Sequence, residues 1–141
     1  MENEKYYDFS TIFGPEIIAV LSKRNIISKN LHHSNKITTF SKIMRIQQSQ
    51  ICIPLQTHSP NCKIVDNQGK FNNVDGLITH DPNLVLSLSV ADCCPIFIFD
   101  NVLKIRGLIH SGWKGTKDKI ILNAIGKFKS YFQSENSCLR W

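Results

Sequence analysis

Residues 95–132 read PIFIFDNVLKIRGLIHSGWKGTKDKIILNAIGKFKSYF, and this stretch decides the fold class. Pro95–Phe99 is a short apolar run of the buried-strand type, Asp100-Asn101 is a turn signal, and Lys104–Ile109 is a second strand, so the three predict a hairpin. The period then changes. After Gly112 and Gly115, the segment Thr116–Phe132 places Ile121, Ile125, Phe128 and Phe132 on one stripe, with Lys119, Asn123 and Lys127 facing away. A hairpin that feeds a Gly-rich turn and an amphipathic helix predicts an α+β domain.

Working outward, the chain before this stretch is strand-rich. Ile51–Leu55 predicts a short strand, with Pro54 pushing it toward a sheet edge or end. Lys63–Asp66 and Gly76–Thr79 predict two more, with a turn at Asn67-Gln68-Gly69-Lys70 between them. Asp81-Pro82-Asn83 turns the chain into Leu84–Val90, where apolar residues alternate with Ser87 and Ser89. Nearer the start, Ser34 is placed to cap a helix reaching Gln48, with Ile37, Phe40, Ile43, Met44 and Ile46 at roughly helical spacing. Gly14-Pro15 signals a turn and Glu16–Lys23 two helical turns. The chain stops soon after the amphipathic segment, at Cys138-Leu139-Arg140-Trp141, which suggests an incomplete domain.

Composition bounds the rest. A length of 141 residues predicts one domain, and 42% hydrophobic with 20% charged residues is a globular composition. The net charge of +6 owes much to a bias toward Ile, Lys and Asn, which together supply 44 of the 141 residues. The lysines form no contiguous patch with interleaved aromatics, so no nucleic-acid partner is expected. The start, Met1-Glu2-Asn3-Glu4, lacks the basic and apolar regions of a secretory signal. The most apolar stretch, 83–99, is split by Asp92 and Pro95. No membrane association is expected, and the predicted location is cytoplasmic. Five cysteines, at positions 52, 62, 93, 94 and 138, are odd in number and include no CxxC pair, which favours reduced thiols over a disulfide framework.

Three segments carry reactive side chains at predicted strand ends: Gln56-Thr57-His58, Ala91-Asp92-Cys93-Cys94-Pro95 and His110-Ser111-Gly112-Trp113-Lys114-Gly115. Two imidazoles and a thiolate suit zinc, and three protein ligands leave a fourth position open for water, whose pKa the ion lowers to about 7. The same atoms also suit a hydrolase in which Cys93 is the nucleophile and His110 its base, with Asp92 orienting a histidine. A third reading makes Cys93 and Cys94 core residues and His110 a hydrogen-bonded strand end. The turn at Gly112–Gly115 with Lys114 and Lys117 nearby suits an anion, or is simply a tight turn in which Trp113 packs. Asp75 reads either as a carboxylate supporting a ligand or as the start of a strand.

The ordered set Gln56-Thr57-His58, Val74-Asp75-Gly76-Leu77-Ile78-Thr79, Val90-Ala91-Asp92-Cys93-Cys94-Pro95-Ile96 and Ile109-His110-Ser111-Gly112-Trp113-Lys114-Gly115 resembles the laccase-domain family. Bacterial members of that family are labelled polyphenol oxidase, peptidoglycan editing factor or purine nucleoside phosphorylase. The resemblance covers about residues 36–132, leaving 1–30 and 133–141 unmatched within a single 1–141 domain. It implies an α+β fold with a mixed central sheet flanked by helices, incomplete relative to the family. It implies zinc bound by His58, Cys93 and His110, with copper persisting only in an older label that three single ligands do not support. It also implies phosphorolysis of adenosine, inosine and methylthioadenosine, and deamination of adenosine, with purine nucleoside and phosphate as partners. Lys114, Gly112 and Gly115 are the expected phosphate contacts, and Asp92 and Asp75 the carboxylates behind the metal. The family's Thr and Arg are Val90 and Lys114 here, and the second change removes a bidentate anion donor. An inactive metal-binding remnant of the same family is the alternative.

Overall fold

The structure is a computed structural model that describes residues 4–23 and 33–140. It divides into two compact units, residues 1–48 and 49–141. Among the described residues, no helix is long and apolar enough to cross a membrane.

In the first unit, β1 (Tyr6–Asp8) and β2 (Val20–Ser22) pair antiparallel, with Tyr6 opposite Ser22 and Asp8 opposite Val20. A single helical turn, α1 (Ser10–Phe13), lies between them. The helix predicted over Glu16–Lys23 is therefore replaced by a strand. Eight residues are too few to hold a helix unaided, whereas folding back gives the backbone partners: the Phe9 amide donates to the Ala19 carbonyl (2.8 Å) and the Lys23 amide to that of Lys5 (3.1 Å). Helix α2 runs His33–Ile43, so Ser34 falls inside its first turn and not before it, and the helix stops short of Gln48. The stop is a Schellman closure. Arg45 is left-handed (φ 56°), the Ile46 amide donates to the Ser41 carbonyl (2.8 Å), and the Arg45 amide donates to Lys42 (3.2 Å).

Among the described residues, the second unit holds eight strands and two α-helices. The strands are β3 (Ile51–Leu55), β4 (Cys62–Ile64), β5 (Gly69–Asn72), β6 (Gly76–Thr79), β7 (Val85–Leu86), β8 (Cys94–Asp100), β9 (Arg106–Ser111) and β10 (Leu139–Arg140). The helices are α3 (Trp113–Lys117) and α4 (Ile120–Phe132). One sheet has the order β10-β8-β9-β6-β4, antiparallel except for the parallel β4–β6 pair; the other, β5-β3-β7, is parallel. The fold is thus α+β with a mixed five-stranded sheet, as the family resemblance implies.

Local corrections have physical causes. The predicted strand 84–90 shrinks to Val85–Leu86. The Cys52 carbonyl faces this neighbour and accepts from Ser87 (3.0 Å); two residues on, Pro54 turns its N to the same side and has no hydrogen to offer, so the ladder ends there. Pro54 therefore terminates a ladder, although β3 is the middle strand of its sheet. The turn predicted at Asn67-Gln68-Gly69-Lys70 gives way at Gly69 to β5, which pairs with β3. The predicted helix 116–132 breaks at the left-handed Lys119 (φ 63°), and α3 begins earlier because the Gly112 carbonyl accepts from both the amide and the hydroxyl of Thr116 (2.8 Å each).

Two apolar clusters fix the sheet's faces. α4 packs Ile120, Ala124 and Phe128, all fully buried, against Ile78, Ile98 and Ile109. Gly107 leaves room for the Phe128 ring, since a Cβ there would come within 3.2 Å of it. On the other side of β6, Leu77 joins Cys52, Val65, Val74 and Leu84. Burial pushes the Cys52 thiol up to about 11 and Cys62 up to about 12, so both are neutral core side chains.

Asp100, fully buried at the end of β8, fastens the hairpin turn by accepting from the amides of Val102 and Leu103, both 2.8 Å. Burial alone would raise its pKa, but the Leu103 amide, the nearby Ser134 hydroxyl and the Val102 amide together outweigh that and hold the carboxyl below the usual carboxylate range. A depressed folded pKa means stability present above the unfolded value of about 3.9 and lost as pH falls through the folded one. Asp100→Asn should therefore be about 1–2 kcal/mol less stable than the parent at pH 7, with the gap closing in acid. Urea unfolding from pH 7 down to pH 2 measures this, and a pH-independent gap would contradict it.

Candidate metal centre

The sheet topology brings the three reactive segments to one end. β9 ends at His110-Ser111, its neighbour β8 begins at Cys94 opposite Ser111, and its other neighbour β6 begins at Gly76 opposite Ile109. Cys93 thus precedes β8, Asp75 precedes β6, and His58 lies just beyond the end of β3.

His58, Cys93 and His110 converge there, each offering a ligand atom, and these atoms all lie within 4.8 Å of one another. Cys93 Sγ is 3.9 Å from His58 Nε2. The two imidazoles meet edge to face, with ring centroids 4.9 Å apart. Their environments differ: His110 is buried, Cys93 half-buried and His58 exposed, so the group opens to solvent on one side. All five cysteines are free thiols.

Asp75 organises both histidines. It is fully buried, and its Oδ1 lies 2.8 Å from His110 Nδ1, which fixes the ring and leaves Nε2 as the nitrogen available to a metal. The same carboxylate accepts from three successive amides, Thr57 (3.1 Å), His58 (3.0 Å) and Ser59 (2.7 Å), and from the Ser59 hydroxyl (2.8 Å). These bonds hold His58 in a left-handed conformation (φ 59°) that costs a non-glycine residue about 1–2 kcal/mol. Burial pulls the Asp75 carboxyl upward, but the His110 contact and the Ser59 and Thr57 donors outweigh it and keep it below the usual carboxylate range. Asp75 is therefore an ionised carboxylate set directly behind the His110 imidazole.

Gly112 closes the other side. A Cβ at this position would lie 2.9 Å from His58 Cδ2 and 3.0 Å from Cys93 Sγ. Its backbone is extended (φ −83°, ψ 173°), so the requirement is for space and not for unusual torsions. Lys114 and Trp113 are exposed on α3, Trp113 by 78%, so the expectation that Trp113 packs into the turn does not hold. Gly115 is buried against the Ser59 carbonyl, 3.4 Å from a notional Cβ. Cys94 is exposed with its Sγ toward the Pro95 carbonyl (3.7 Å), and Asp92 is exposed. Neither belongs to the core. The sequence reading missed what Gln56, Ser59 and Gly112 do here; Gln56 and Gly112 lie inside the quoted motifs, but their packing partners are distant in the chain.

The donor set fits a metal. One thiol and two imidazoles within 4.8 Å, one imidazole already tied to a buried carboxylate, are the ligand types of an open zinc site.

Residues 27–141 match the family model described as multi-copper polyphenol oxidoreductase laccase. The chain belongs to that family. It is 33% identical over 129 residues to a protein of Borreliella burgdorferi named purine nucleoside phosphorylase, an alignment covering 92% of this chain and 54% of that one. A Rickettsia conorii protein with the same name is 32% identical over 125 residues, covering 86% and 50%. The chain spans about half the length of these curated relatives. Among solved structures, YlmD from Geobacillus stearothermophilus has the same fold (TM-score 0.71, 23% identity, 74% of this chain and 43% of that one). So does the Bacillus licheniformis protein YfiH (TM-score 0.69, 25% identity, 84% and 48%).

Proposed function

We propose that this chain carries the metal centre of a purine nucleoside phosphorylase, with His58, Cys93 and His110 holding one zinc ion and with purine nucleoside and phosphate as substrates. What carries the reading is the convergence of one thiol and two imidazoles within 4.8 Å, in a chain whose relatives are named for that activity. Zinc held by three protein ligands supplies a Lewis acid with one position left for water or substrate. The multi-copper cluster of the family's description is not carried over, because one thiol and two imidazoles accommodate a single ion.

The chain's own residues have definite tasks in this reading. Asp75 keeps His110 in the tautomer that offers Nε2 and folds the 57–59 turn so that His58 faces it. In phosphorolysis an oxygen of phosphate bonds to C1 of the ribose as the bond from C1 to the purine nitrogen breaks. The base departs with the electron pair and takes up a proton. Lys114, exposed on α3, supplies positive charge for the phosphate. Lysine provides a point charge where arginine would give a two-pronged grip, so phosphate is held less rigidly. Adenosine deamination is a second activity proposed for the same centre.

Elemental analysis of the purified chain beside His110→Ala tests the proposal first. About one zinc per chain is expected in the parent and none in the variant. Stripping the ion should lower the unfolding temperature of the parent alone, because a ligand bound only to the folded state stabilises it. Phosphate-dependent release of free base from adenosine or inosine is the second measurement. A chain that binds no metal after incubation with zinc would overturn the reading. Bound zinc without base release would leave a metal-binding remnant of the family.

A further inference from the structure

The motif Gln56-Thr57-His58 contains a residue that the metal reading leaves unused. Gln56 follows the end of β3, and its side-chain amide pairs with the backbone of one residue across the site. Nε2 donates to the Ser89 carbonyl (2.8 Å), and the Ser89 amide donates to Oε1 (3.2 Å). A primary amide matched to both backbone groups of one residue imitates a strand pairing and works in only one orientation of the amide.

Its position gives the pair a consequence. Ser89 lies in the segment that leaves the parallel sheet after Ser87, whose amide donates to the Cys52 carbonyl (3.0 Å), and that enters β8 at Cys94. Cys93 is the last residue of this segment. The ladder stops at Pro54, so the backbone beyond Ser87 needs another anchor, and the Gln56 amide provides it. Two residues after Gln56 comes His58, and four after Ser89 comes Cys93. The amide therefore links the two loops that carry the facing ligands, whose atoms are 3.9 Å apart. Asp75 reaches His58 and His110, while this pair sets where the Cys93 loop lies relative to His58.

We infer that Gln56 is a positioning residue for the metal centre, holding the Cys93 loop against the His58 loop so that the thiolate reaches the ion. The inference rests on the metal reading above and concerns one ligand of the three. Gln56→Met keeps length and removes both hydrogen bonds. Gln56→Glu keeps the acceptor for Ser89 but sets a second oxygen against the Ser89 carbonyl.

The test loads the parent chain and both variants with Co(II), whose spectrum separates sulfur from nitrogen ligands. In the parent, a thiolate-to-cobalt charge-transfer band is expected beside the visible d–d bands. Both variants should lose most of the charge-transfer band while keeping d–d absorption, and should bind Co(II) about ten-fold more weakly. In the metal-free chain, amide exchange should speed up at Ser89 and its neighbours, while the β8 and β9 amides stay protected. An undiminished charge-transfer band with unchanged affinity would overturn the inference and leave the metal reading standing. Exchange speeding up throughout the unit would also overturn it, since Gln56 would then serve general stability. A parent chain that takes up no Co(II) would overturn both.

Discussion

Asp75→Ala should lose both metal binding and a large part of the stability of the second unit. Asp75 is fully buried, and its carboxylate receives the Thr57, His58 and Ser59 amides, the Ser59 hydroxyl and His110 Nδ1. Alanine leaves these donors around an empty volume. Each charge-assisted hydrogen bond is worth about 1.5–3 kcal/mol, and solvent entering the gap recovers part of that, so a net loss on the order of 3–5 kcal/mol is expected. His58 would also lose what holds its left-handed backbone, and both imidazoles would lose their orientation. Asp75→Asn separates the two effects. It keeps the shape and one acceptor oxygen, but its amide would face the Thr57 and Ser59 donors. We expect a smaller stability loss with zinc affinity still down about 10- to 100-fold. Urea unfolding and competition with a chromophoric chelator measure the two quantities. Parent-like zinc affinity in Asp75→Asn would show that the carboxylate does not support the ligands.

Which parts of this arrangement were legible in the sequence follows from where the information sits. Gly76–Thr79 is an apolar run bounded by turn residues, and the strand has those bounds. The hairpin follows from periodicity, and so does an apolar face on α4. Its fully buried residues are Ile120, Ala124 and Phe128, while the predicted Ile121, Ile125 and Phe132 are only partly buried beside them. The three residues that converge, His58, Cys93 and His110, were legible through ordered motifs at strand ends. Elements that depend on partners distant in the chain were not. Val20–Ser22 is a strand because β1 lies beside it, and Leu84–Val90 loses most of its predicted length because Pro54, thirty or so residues earlier, withholds a donor. The helix break at Lys119 is hidden because the apolar period continues through it, with Ile120 and Ile121 both apolar. At the site the same rule holds. Asp75 was one of two candidate carboxylates, and only the β6–β9 register, with Gly76 opposite Ile109, puts it beside His110.

Gly112→Ala should leave the fold intact and remove the metal, which separates the centre from the scaffold. The residue is extended (φ −83°, ψ 173°), so alanine carries no torsional penalty. Its entire effect comes from one methyl group, which would stand 2.9 Å from His58 Cδ2 and 3.0 Å from Cys93 Sγ. The backbone cannot retreat easily, because the Gly112 carbonyl is held by the Thr116 amide and hydroxyl, both 2.8 Å, and that hydroxyl lies 2.8 Å from the Ser111 hydroxyl. His58 is exposed and Cys93 half-buried, so these side chains will be the ones that move. Crowding that side chains can relieve costs about 1–3 kcal/mol when it is in a packed core, and here most of it should appear as lost metal affinity. Displacing two of three ligands is expected to weaken zinc binding at least about 100-fold, with stability of the metal-free chain changed by less than about 1 kcal/mol. Gly115→Ala is the control from the same turn: its Cβ would meet the Ser59 carbonyl at 3.4 Å and Ile120 at 3.6 Å, ordinary contact distances. It should bind zinc nearly as the parent does. Equal zinc affinity in the two variants would mean that the close approach of Gly112 to His58 and Cys93 is not what shapes the centre.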